Sequence, residues 1–206
     1  MKQLGFLWLG LLALIIVSCN RTDKSADSSI SSDSGKIVNT VDSVADEGTL
    51  TTIATEILTT LKTKDYTAFA SYFHPTEGVV FSPYGFIDTK TAKKVSKASF
   101  LKLVEEKGSV IWGNYDGSGD VIRLTAQQYL EKFVYNADYL HAEKIGYDQI
   151  IGKGNSLNNV NEIFPKHPFI EYHFSGFDKK YSGMDWTSLR LVFKQYQSNY
   201  YLVAVI

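Results

Sequence analysis

An almost unbroken apolar run from Leu4 to Val17 opens the chain, and a polar tract of different character follows it. From Asn20 to about Asp46 the residues are mostly Ser and Asp, nearly free of aromatics and without an apolar period. Such composition buries too little surface to offset the entropy of ordering, so this stretch reads as a flexible tether. Beyond Glu47 the pattern becomes that of a folded unit. Ile53, Ile57, Leu58 and Leu61 share one helical face, with Thr49 placed to cap it. Asp65 stands before a second short helix with Tyr66, Phe69, Ala70 and Phe73 inward, stopped by His74-Pro75. Ser99 is read as the cap of a third helix, Phe100 to Lys107, with Gly108 as its C-terminal glycine. Thr125 and Gln128 have capping-box spacing ahead of a fourth, Tyr129 to Tyr135.

The other apolar segments have strand character. Val79 to Phe81 is one, and Val110 to Trp112 is matched to Val121 to Leu124 across a Gly-rich turn. Phe169 to Phe174 is another. Ser188 to Tyr196 and Tyr200 to Ile206 form a hairpin about Gln197-Ser198-Asn199. Leu189, Leu191 and Phe193 alternate with Ser188, Arg190 and Lys194, which predicts one buried and one wet face. The domain organisation that follows is a leader over 1–18, a tether over 19–46 and one α+β domain over 47–206.

Composition changes this picture little. The 206 residues are 44% hydrophobic and 21% charged, ordinary for one globular domain, and the 13 Tyr and 12 Phe lean towards sheet. A net charge of −1 gives no electrostatic case for nucleic acid. Loss of Lys2 with a leader leaves 20 basic against 22 acidic residues, a net charge of −2, so an anionic bilayer surface would not attract the rest. A single cysteine excludes an intrachain disulfide and a Cys-based zinc site.

That cysteine has a particular setting. The apolar run falls short of the ~20 residues that span a bilayer and ends in Ile16-Val17-Ser18-Cys19 behind the positive Lys2. The arrangement resembles the bacterial lipobox. The resemblance implies cleavage before Cys19, attachment of diacylglyceryl to its thiol and acylation of the new N-terminus, with the membrane as partner through palmitate-type chains. A thiolate is the nucleophile that accepts such a lipid, and several acyl chains are needed for firm anchoring. The alternative is an uncleaved anchor helix that ends in cysteine. Asn20 in the next position permits export, so the outer membrane is favoured over the inner one in a cell with two. About 27 residues of coil give the tether a reach of roughly 30 Å.

Two helices followed by a curved antiparallel sheet ending in a long hairpin resemble the NTF2-like cone fold over roughly Glu47 to Ile206. The stretch Lys64 to Pro75 carries most of the likeness. The tracts Phe81-Ser82-Pro83-Tyr84-Gly85, Gly183-Met184-Asp185-Trp186 and Leu189 to Phe193 also resemble uncharacterised bacterial secreted proteins. Such chains continue a few residues past the final strand, whereas this sequence stops at Ile206, which leaves any contribution of a tail outside it. Cone folds host both enzymes and binding modules, so the likeness implies no activity.

Candidate chemistry is sparse. Asp116-Gly117-Ser118-Gly119-Asp120 lacks the later Gly and Glu of a calcium loop and reads as a hairpin turn. Gly152-Lys153-Gly154-Asn155 lacks the rest of a dinucleotide or P-loop pattern and reads as a loop. His74, His141, His167 and His173 show no metal spacing, and no GxSxG elbow occurs, so no metal or cofactor is assigned. Glu171 and His173 project to one face of a strand, with Asp185-Trp186 just before the next. Lining a cone, they would suit the acid-base chemistry of an isomerase or dehydratase. On the outer sheet face they would be a solvated pair, which the apolar Ile170, Tyr172 and Phe174 favour. Trp112, Tyr172 and Trp186 are the candidate ligand-binding residues, and the pair Tyr200-Tyr201 a candidate stacking surface, with core as the competing role. The leading expectation is a lipid-anchored envelope module, more a binder than an enzyme, for a small ligand or an envelope protein.

Overall fold

A computed structural model describes residues 46–153 and 157–206. The leader, Cys19 and the tether up to residue 45 lie outside the described residues, as do Gly154 and Asn155. Helix α1 spans Glu47–Lys62 and buries Leu50, Ala54, Ile57, Leu58 and Leu61 along one stripe. Its cap is Asp46 and not Thr49: the Asp46 carboxylate accepts the Thr49 backbone N–H at 3.2 Å and the Thr49 hydroxyl at 3.1 Å. An Asp three residues earlier satisfies a first-turn N–H that a Thr cap would have left inside the helix. Helix α2 (Tyr66–Ser71) starts at Asp65 as expected, with the Ala68 N–H donating to Asp65 at 2.9 Å.

Helix α3 (Lys97–Glu106) begins one turn before the predicted start. Ser96 is its cap and accepts the Ser99 N–H at 3.1 Å, so Ser99 is inside the first turn. At its other end Lys107 itself takes the left-handed conformation, φ 52°, which leaves Gly108 no capping role. Thr125 and Gln128 do form the reciprocal capping box, at 3.2 and 3.0 Å. The helix they open, α4, runs over Ala126–Tyr129 and passes into a π-helical turn over Leu130–Val134.

Six strands form one open sheet: β1 (Val79–Phe81), β2 (Lys93–Val95), β5 (Lys144–Tyr147), β6 (Phe169–Phe174), β7 (Thr187–Tyr196) and β8 (Asn199–Val205). Their order is β2-β1-β8-β7-β6-β5, and β1 pairs with β8 in parallel. The molecule is therefore α+β with a mixed sheet, not the wholly antiparallel one expected. The parallel pairing arises because His74 donates to the Leu202 carbonyl and delivers the chain alongside β8. Strands β3 (Val110–Asn114) and β4 (Val121–Leu124) pair as predicted but stand apart as a two-stranded ribbon.

The sheet's two faces are both covered. On one, α1, α2 and α3 pack Phe69, Phe73, Phe81 and Phe100 into a cluster closed by Trp112, which stacks on Tyr129 at 4.3 Å. Burying such rings stabilises by roughly 1.5–3 kcal/mol each. On the other, a short helix α5 (Val160–Ile163) and the chain around it lay Ile150, Val160, Ile163 and Phe164 over Phe169, Val192 and Val203. The predicted wet face of β7 is consequently not wet: Arg190 is buried and Ser188 and Lys194 are half-buried.

Candidate functional site

The second face carries a polar island within its apolar cover. Antiparallel pairing of β6 with β7 sets Glu171 directly opposite Arg190 and His173 opposite Ser188. Glu171 is fully buried. Its Oε2 accepts Arg190 Nε at 3.0 Å and Nη2 at 2.8 Å, while Oε1 accepts the Gly152 N–H and the Ser188 hydroxyl, each at 2.8 Å. A carboxylate taken out of water needs this set of partners, since an unpaired buried charge costs several kcal/mol.

Gly152 is required by the close approach of its backbone. A Cβ there would stand 2.7 Å from the Trp186 ring and 2.8 Å from Ser188 Oγ. The loop after β5 can therefore seal Glu171 only with glycine at this position.

His173 meets Ser188 Oγ through Nδ1 at 2.8 Å. The serine has one proton, and it goes to Glu171, so Nδ1 is the donor and the neutral ring keeps Nε2 as its acceptor. Burial is the largest influence on this imidazole and lowers its pKa, with the Glu171 carboxylate opposing. The sequence of donors runs His to Ser to Glu, the reverse of the order that would activate the serine as a nucleophile. Glu171, saturated by four hydrogen bonds and shielded from solvent, holds its neighbours in place.

Beside this island opens a cleft of about 330 Å³. Trp186, Tyr84 and Phe133 supply rings to its wall, and Lys132, Asn136, Ser188 and Arg190 supply polar groups; among the described residues no acidic side chain lines it. Tyr84 meets Phe133 edge-on at 6.0 Å, and Trp186 lies 5.8 Å from the His173 ring.

The predicted site residues are divided by the fold. Glu171 and His173 come together, neither as a solvated outer pair nor inside the helix-covered core. Trp112 and Tyr172 belong to that core, Trp112 with its indole N–H donated to the Leu124 carbonyl at 2.9 Å, and burial pushes the Tyr172 hydroxyl up to about 12. Trp186 alone of the three lines the cleft. Asp185 accepts the Phe177 and Asp178 N–H groups and ties its loop. Tyr200 and Tyr201 border a separate hollow of about 560 Å³ with Tyr72 and Asp46. Among the described residues no three His, Cys, Asp or Glu side chains form a metal-binding group. The run Asp116 to Asp120 is the β3–β4 turn, closed by the Tyr115 N–H on the Asp120 carbonyl at 2.7 Å.

Arg190, Ser188, Gly152 and the cleft residues Tyr84, Lys132 and Phe133 escaped sequence reasoning as site residues. For Arg190 a signal existed: registering β6 against β7 puts opposite charges face to face. Among the described residues no helix is long and apolar enough to cross a membrane. Compared with protein families, curated proteins and solved structures, the chain finds no match in any of the three.

Proposed function

We propose that this protein is a lipid-anchored module of the bacterial cell envelope, processed before Cys19, which binds a small ligand and is not an enzyme. The Ile16-Val17-Ser18-Cys19 pattern behind a short apolar leader supports the anchor, and Asn20 supports the outer membrane where two membranes exist. The observation that carries the binding role is the pairing of a ring-walled cleft with a carboxylate whose hydrogen-bonding capacity is already filled. Such a site offers fixed donors and apolar walls but no free base in Glu171. The cone architecture of NTF2-like domains belongs to the same proposal, supported by α1 and α2 against one sheet face and by the long β7–β8 hairpin.

The acid-base reading through Glu171 and His173 retains one favourable observation, a buried imidazole whose pKa burial lowers and whose Nε2 has no hydrogen-bond partner among the described residues. The anchor is tested by Cys19→Ser. The wild type should fractionate with membranes and incorporate labelled palmitate, and the variant should do neither. A variant that remains membrane-bound without label defeats the lipid anchor.

A further inference from the structure

The cleft's charge and shape point to one class of occupant. Glu171 engages Arg190 through Nε and Nη2, and among the described residues Nη1 meets no hydrogen-bond acceptor. The guanidinium lies over the Phe169 ring, 5.9 Å from its centroid, and its side chain is only 5% exposed, so its orientation is fixed before anything binds. A buried arginine held this way is preorganised for an anion, because the entropy of placing its donors has already been met by folding.

Lys132, an exposed residue, also lines the cleft. Its Nζ donates to the Tyr115 hydroxyl at 2.9 Å and lies 4.8 Å from the Tyr115 ring centroid and 5.5 Å from that of Phe133. An ammonium with three donors spends one of them there. Arg190, paired with Glu171, and Lys132 thus bring two cations to a cleft that no acidic side chain lines among the described residues. The walls also carry three rings, those of Trp186, Tyr84 and Phe133. At about 330 Å³ the space is at the small end for ligand sites and matches a small molecule.

We infer that the cleft takes a small organic anion with a flat apolar body, its carboxylate or equivalent group directed to Arg190 and Lys132 and its ring against Trp186 and Tyr84. This rests on the small-ligand reading above and names the chemistry of that ligand.

The test is calorimetric titration of the full chain, in non-ionic detergent, with naphthoate and with naphthalenemethanol, the same rings without the charge. Naphthoate should bind one site at least about tenfold more tightly than the alcohol, the difference a charge-assisted hydrogen bond supplies. Lys132→Gln should weaken naphthoate about fivefold and leave the alcohol unchanged. Trp186→Leu should weaken both, and Tyr84→Leu, which leaves the contacts of Gly152 in place, gives the same reading should the Trp186 variant fold poorly. Equal binding of the two compounds, or indifference of naphthoate to Lys132→Gln, overturns the anion class and leaves a neutral-ligand cleft. Absence of binding by both compounds, or binding untouched by the Trp186 and Tyr84 variants, overturns the cleft and the small-ligand reading together.

Discussion

Replacing Arg190 with methionine strands the Glu171 carboxylate in a setting with no access to water. Loss of one partner from a buried ion pair costs about 3–5 kcal/mol, and urea unfolding of Arg190→Met should show a loss of that size. The double variant Glu171→Leu with Arg190→Met removes both charges and should recover part of it, the remainder reflecting the Gly152 N–H and Ser188 hydroxyl left without their acceptor. Gly152→Ala should destabilise by roughly 1–3 kcal/mol, because its Cβ has no room beside Trp186 and Ser188. Two histidines give a pH dependence at this scale. His74 and His173 are both lowered by burial as the largest cause, with Lys194 and Lys94 adding to the effect at His74 and Glu77 opposing it. A folded pKa below the unfolded value near 6.5 means that the unfolded chain binds more protons below that pH. Stability should therefore fall as pH drops from 6.5 towards the folded values. Substituting His74 and His173 together with Gln should flatten that part of the profile, and a profile as steep as the wild type's would assign the effect to other groups.

Elements were legible where apolar period and local capping agree. The α2 start at Asp65, the Thr125–Gln128 box and the β7–β8 hairpin all depend on contacts within a few residues, and all are present as predicted. The misplaced starts have a shared cause: Asp46 and Ser96 compete with Thr49 and Ser99, and in each case the earlier residue accepts the later one's N–H. Ser96→Ala should cost about 1 kcal/mol in thermal or urea unfolding and Ser99→Ala clearly less, whereas the opposite order would return the cap to Ser99. Strands β2 and β5 carry Lys93, Lys94, Lys144 and Gly146 and only one β-branched residue each, Val95 and Ile145, too weak a signal without the pairing that reveals them. The buried polar face of β7 was illegible for a different reason. Alternation marks Ser188 and Arg190 as polar, but whether a polar residue faces water depends on chain elsewhere, here Gly152, Trp186 and α5. The site was half legible: Glu171 with His173 follows from strand period, while Arg190 needs register and the cleft needs the whole fold.

For the molecule as a whole, the helix-covered face of the sheet is filled by aromatics, and the cleft beside Glu171 lies on the opposite side. Trp112→Ala should cost about 3–5 kcal/mol of stability while leaving naphthoate affinity in the folded fraction unchanged, because Trp112 is not on the cleft wall. A loss of affinity without a loss of stability would move the binding site to the helix-covered core. The proposal of a lipid anchor at Cys19 and a small-ligand cleft is tested in both parts by mass spectrometry of the protein purified natively from membranes. It predicts an N-terminal peptide that begins at Cys19 and carries acyl chains, together with a small organic anion released on denaturation. An unmodified Cys19 within an intact leader, and no mass released, would contradict it.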